Sequence, residues 1–321
     1  MLGSRSIVLV GGFRKCGTTS IYDLLAELDG FNPCSIKEPQ IIESGNLIDD
    51  ELFNEYISLF GSGEGTYLDG STFLTTCPEV VLDLKKYFPD IKIVIFIRDP
   101  VKRFFSAAMH SYGKITPEDN EPLDNIIHRI DSYEAGSRFD LELKYVRDVF
   151  SNTNSYSVDY LKDIGSSKVL GFNPKFRYLA FQYYGEGCYS YWLNRWEELG
   201  VDYHLVCLEE LINNKEKVLE SLEQYLGLAS GYLSAQSIAS SNAGYIRRGF
   251  ISKLERFSIL KSILPFSVKN KVKDFFYQKA SEIQYTEEQQ AVVASWYAAE
   301  YEYWLEKYPA WGEYWNGFGR K

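Results

Sequence analysis

The chain reads as an α/β domain, a central parallel sheet flanked by helices. IKIVIFI (91–97) is a continuous apolar run of the kind buried on both faces of a parallel sheet. IVLV (7–10) is a second, shorter apolar run that enters a glycine turn. Strand-like and helix-like segments then alternate along the chain, the signature of parallel strands joined by crossover helices.

The elements follow in order. After the 7–10 strand, TTSIYDLLAEL (18–28) places Ile21, Leu24, Leu25 and Leu28 on one helical face. TYLD (66–69) is a short second strand. Pro78 opens a helix, PEVVLDLKKYF, because a first-turn proline lacks only an N–H that the helix does not use. The 91–97 strand ends in Arg98-Asp99-Pro100, and the helix VKRFFSAAMHSY follows. HLVCL (204–208) is a later strand, with a helix from about Asn214 to Tyr225. Residues 113–165 interrupt the alternation with turn-rich sequence and two helices, a candidate cap over an acceptor. The tail, 255–321, is predicted helical; Thr286 and Gln289 have the spacing of a capping box for a long acidic, aromatic helix. There is no internal repeat and no low-complexity linker, so 1–321 is read as one domain with an insertion.

Composition excludes several classes. With 45% hydrophobic and 24% charged residues, the chain is neither collagen-like, disordered nor coiled coil. The formal net charge of −10 argues against a protein that grips nucleic acid, an anionic membrane or a polyanionic chain. Aromatics at 16% suit a well-filled core. The five cysteines (16, 34, 77, 188, 207) are odd in number and form no C-x-x-C pair, against a disulfide framework or a zinc site. A reduced, cytoplasmic compartment is expected, with no signal peptide and no membrane span. The oligomeric state is left open.

The strongest local signal is GGFRKCGTTS (11–20), set between a strand and a helix, where backbone N–H groups and a helix N-terminus form an anion site. Gly12-x4-Gly17 has P-loop spacing. A nucleotide triphosphatase needs Lys then Ser/Thr after that glycine. Here Thr18 and Thr19 follow it, and the lysine, Lys15, lies inside the loop. A glycine turn with an incidental lysine is the plain alternative. The run Gly12-Phe13-Arg14-Lys15-Cys16-Gly17-Thr18-Thr19-Ser20-Ile21 resembles the 5′-phosphosulfate loop of sulfotransferases that use 3′-phosphoadenosine-5′-phosphosulfate (PAPS). The resemblance implies their P-loop NTPase-like fold, PAPS as donor, 3′,5′-ADP as product and no metal. It implies that the N–H groups of 16–19 and the hydroxyls of Thr18, Thr19 and Ser20 hold the 5′-phosphate. Arg14 and Cys16 lie in the same cofactor loop, and Lys15 would contact the oxygen bridging phosphate and sulfate.

A second stretch, 95–112, resembles the family's 3′-phosphate motif at Arg98, Asp99, Pro100, Arg103 and Ser106. An arginine forks onto a phosphate and a hydroxyl adds a neutral donor; a strand-end salt bridge is the alternative for Arg98 alone. Tyr245-Ile-Arg247-Arg248-Gly249 resembles the late basic loop that folds over the 3′-phosphate, and a solvated basic loop reads equally well. A base must take the acceptor's proton. His110, His128 and His204 read as structural or exposed. Lys37-Glu38-Pro39 resembles the Lys-Glu-Pro of heparan-type and bacterial sulfotransferases, which implies Glu38 as the base; Asp69 is the second candidate. Those enzymes carry a Lys-[ST]-Pro run where this chain has Gly70-Ser71-Thr72. The expected activity is sulfuryl transfer to a hydroxyl or amine of a small or medium acceptor, whether natural product, lipid or glycan. A neutral or cationic acceptor is favoured, with the excess carboxylates placed around its mouth. A P-loop nucleotide kinase and a catalytically inactive nucleotide-binding protein are the alternatives.

Overall fold

The computed structural model describes residues 6–39, 50–61, 65–76, 79–112, 123–142, 144, 183–235, 245–247, 277–279 and 285–315. Its centre is a five-stranded sheet, all parallel, in the order β2-β3-β1-β4-β5. The strands are β1 (Ser6–Gly12), β2 (Phe31–Pro33), β3 (Thr66–Asp69), β4 (Asp90–Ile97) and β5 (His204–Cys207). The expected α/β class is the one found. β1 lies in the middle, with Val8 opposite Leu68 on one side and Lys92 on the other. Ile7 to Val10 and Ile93 to Ile97 are buried throughout, as continuous apolar runs in a covered sheet must be.

Helices α1 (Thr18–Ala26), α2 (Asp50–Ser58), α3 (Glu79–Leu84), α4 (Pro100–Tyr112), α5 (Leu123–Asp131), α6 (Tyr189–Glu198), α7 (Leu208–Asn213), α8 (Lys215–Leu226), α9 (Glu287–Trp296) and α10 (Ala298–Lys307) cover it. Ile21, Leu24 and Leu25 of α1 are buried, the face read from the sequence. β2 and α2 were not foreseen. β2 is three residues long and includes Asn32 and Pro33, so it carries no apolar periodicity.

The tail differs from expectation. The capping box is present: Gln289 N–H donates to Thr286 Oγ1 at 3.1 Å, and Thr286 N–H to Gln289 Oε1 at 2.8 Å. The helix it opens ends at Trp296 and a second begins at Ala298. The tail is also not wholly helical, because β7 (Tyr277–Lys279) pairs antiparallel with β6 (Tyr245–Arg247) beside α4. The stretch read as a basic loop thus begins as a strand; Arg248 and Gly249 lie outside the described residues, as does most of 113–165. Among the described residues no helix is long and apolar enough to cross a membrane. Cys16, Cys34, Cys188 and Cys207 are buried free thiols.

Candidate active site

The glycine loop leaves the carboxyl end of β1, the sheet edge at which open α/β sheets take ligands. Gly12 and Gly17 are both required by close approach. A Cβ on Gly12 would sit 2.8 Å from Phe96, and one on Gly17 would sit 2.6 Å from Leu208. Both also have positive φ, 143° and 92°. Between them Lys15 has φ 69°, the one non-glycine residue in the left-handed region among the described residues. Such a conformation costs roughly 1–2 kcal/mol and is held only where the surroundings enforce it. The loop is tied down by Phe13 N–H on the Phe96 carbonyl (3.2 Å) and Gly12 N–H on Thr75 Oγ1 (2.7 Å).

α1 starts directly after the loop. Its N-cap is Gly17, which supplies no side-chain acceptor, so the first-turn amides are not covered by a cap. Of the amides expected at the anion site, Cys16 N–H donates instead to the Phe13 carbonyl at 3.2 Å. The amides of Gly17, Thr18 and Thr19 stand at the helix mouth. Thr18 is buried, and Thr19 and Ser20 are half-buried. Burial pushes the Cys16 thiol up to about 12, so it is no nucleophile at neutral pH.

Arg98 follows the last residue of β4 and reaches the same loop. Its Nη1 donates to the Lys15 carbonyl at 3.1 Å, across 83 positions of sequence. Its Nε faces Glu209 Oε1 at 3.7 Å, while Glu209 Oε2 accepts the Asp99 N–H at 3.2 Å. Asp99 caps α4: its Oδ1 accepts from Val101 N–H (3.0 Å) and Lys102 N–H (3.1 Å), with Pro100 at the first helical position. Two of the three residues of Arg98-Asp99-Pro100 therefore make a helix start. Ser106 lies two turns along α4 and is half-buried.

Arg103, which the resemblance to the 3′-phosphate motif includes, is turned into the interior. It is fully buried, with Nη1 on Glu186 Oε2 at 2.9 Å and Nη2 on the Tyr183 carbonyl. The same carboxylate takes Arg14 Nε at 2.7 Å. Burial pushes the Glu186 carboxyl up, against the pull of the two guanidiniums. Glu186 was missed by sequence reasoning; it lies 172 positions from Arg14 in a short turn between glycines, and nothing local marks it.

Glu38 stands after β2, partly exposed, with Lys37 Nζ 3.8 Å away. Lys37 Nζ also donates to Thr19 Oγ1 at 2.6 Å, so the Lys37-Glu38 pair and the glycine loop share one site. Burial pulls the Lys37 ammonium below its usual value, and Glu38 and Asp23 partly restore it. Asp69, the second candidate base, is fully buried. It accepts Tyr56 Oη at 2.7 Å and Ser71 N–H at 2.7 Å, and burial raises its carboxyl. His204 lies on β5, where burial pulls its imidazole below the usual value and Asp202 partly restores it. His128 lies on α5, and the side chain of His110 lies outside the described residues.

No family model matches the chain, and no curated protein matches it. Among solved structures it is similar to a sulfotransferase from Alicyclobacillus acidocaldarius, at 18% identity over 74% of this chain and 87% of that one, TM-score 0.45. It is similar to the sulfotransferase domain of the Synechococcus PCC 7002 olefin synthase, at 11% identity over 92% and 95%, TM-score 0.33. It is also similar to the sulfotransferase domain of the curacin biosynthetic pathway, at 13% identity over 91% and 97%, TM-score 0.37.

Proposed function

We propose that the chain is a PAPS-dependent sulfotransferase that acts on a hydroxyl or amine of a small or medium acceptor and releases 3′,5′-ADP. One observation carries this reading: the left-handed Lys15 loop and the strand-end Arg98 meet, Arg98 Nη1 on the Lys15 carbonyl, at the ligand-binding edge of the sheet. Two motifs read separately from the sequence are thereby in contact. The uncapped mouth of α1 fits a 5′-phosphate, through the amides of Gly17, Thr18 and Thr19 and the hydroxyls of Thr18, Thr19 and Ser20. Arg98 and Ser106 suit a 3′-phosphate.

PAPS, when bound, supplies a sulfuryl group activated by its attachment to phosphate. Lys15 places an ammonium where charge grows on the leaving phosphate. Glu38 takes the proton of the acceptor hydroxyl or amine. A neutral or cationic acceptor is part of the proposal, and so is the cytoplasmic setting.

Calorimetric titration with 3′,5′-ADP tests the reading. Binding by the wild type should weaken about 10–100-fold in Arg98→Ala, the scale of a lost charge-assisted contact. Glu38→Gln should keep that binding and lose turnover of labelled PAPS. Absence of binding by the wild type, with magnesium-dependent turnover of ATP, would sink the sulfotransferase reading in favour of a kinase.

A further inference from the structure

Lys37 is built into the site more firmly than a surface lysine. Its backbone is fixed because Ser35 N–H donates to the Leu59 carbonyl (2.8 Å) and Gly70 N–H to the Lys37 carbonyl itself (3.0 Å). The fit is close: a Cβ on Gly70 would sit 2.9 Å from that carbonyl and 2.8 Å from the Tyr22 ring. The side chain runs over the same ring, with Nζ 5.6 Å from its centroid. The ammonium ends between Thr19 Oγ1, at 2.6 Å, and Glu38 Oε1, at 3.8 Å.

The direction of the Thr19 bond follows from chemistry. An ammonium only donates, so the Thr19 oxygen must accept, and its single proton is left to point elsewhere. Thr19 is the second residue of α1, beside amides that have no partner inside the helix. A hydroxyl that already accepts from a cation is a stronger donor in turn. We propose that Lys37 is a positioning residue of the anion site: through Thr19 it presents a polarised hydroxyl to the 5′-phosphate, and the same ammonium keeps Glu38 at the edge of that phosphate. This rests on the sulfotransferase reading of the site.

A double-mutant cycle with Lys37→Met and Thr19→Val tests it, read by calorimetry with 3′,5′-ADP and with adenosine 3′-phosphate, which lacks the 5′-phosphate. Each single variant should weaken 3′,5′-ADP about tenfold, and the double variant no further, because one removes what the other acts through. Adenosine 3′-phosphate should bind all variants within about twofold of the wild type, since neither residue faces its only phosphate. Losses that add to about a hundredfold in the double variant, or equal losses with both ligands, overturn the proposal. Lys37→Leu, which likewise removes the ammonium and keeps apolar stem over the Tyr22 ring, replaces Lys37→Met if that variant does not fold. A wild type that binds neither ligand brings down the sulfotransferase reading itself, whereas normal binding with an additive cycle brings down only the role of Lys37.

Discussion

Lys15 sits at the point where chemistry and stability oppose each other. A left-handed lysine between two glycines is strained, and glycine would relieve the strain. Lys15→Gly should therefore raise unfolding stability by about 1 kcal/mol in urea, with an unchanged slope, and lose the proposed sulfuryl transfer. Lys15→Ala should lose transfer without that gain. A destabilised Lys15→Gly would show that the conformation is not strained. The loop was legible in the sequence because its requirements are local: two glycines, a lysine and a helix start within a few positions. Arg98 was legible because a strand end is easy to place. The fate of Arg103 was not. It falls in a stretch that resembles an anion-binding motif, but its burial is tied to Glu186, 83 positions away, and no local pattern announces that pairing.

Among elements, the start of α4 joins the site to the C-terminal helices. Asp99 caps α4 and also accepts Tyr301 Oη from α10 at 2.8 Å, wholly within the interior. Asp99→Ala should cost about 2–3 kcal/mol, because it removes a cap and the acceptor of a buried hydroxyl's bond. Thermal unfolding would measure the loss, and a change under about 0.5 kcal/mol would mean the cap is dispensable. The tail was read only as helices, since an aromatic-rich sequence shows where helices lie but not what they brace. The break after Trp296 was hidden for a similar reason. Trp296 and Tyr297 are both buried, so apolar periodicity runs on through the joint between α9 and α10.

For the molecule as a whole, the charge of −10 has a partly internal explanation. Asp69, Asp99, Glu142, Glu186, Glu209, Glu223 and Glu300 are all buried. Several of them serve backbone amides. Glu142 accepts from Tyr184 N–H and Gly185 N–H, and Glu223 from Gly231, Leu233 and Ser234 N–H. These seven lie within the fold, and one of them, Glu209, faces Arg98. Burial raises the carboxyls of Asp69, Glu142, Glu186, Glu209 and Glu300. A carboxyl raised in the folded state binds its proton more tightly there than when unfolded. Its contribution to stability is complete below the ordinary range of about 4 and is lost as pH climbs through the raised values. His204, lowered by burial, acts oppositely below its ordinary value of about 6.5, one group against five. The melting temperature should therefore be higher near pH 5 than near pH 8, and the self-repulsion of the net charge adds in the same direction. A melting temperature that rises towards pH 8 would contradict it.

Selection for heat resistance alone would act against Lys15. A library screened by survival after heating would enrich glycine at that position, since nothing in the assay rewards an ammonium held in a strained turn. The hardened protein would still close its loop over an anion through the mouth of α1. On the proposed function it would bind and not turn over, a decoy made by one substitution.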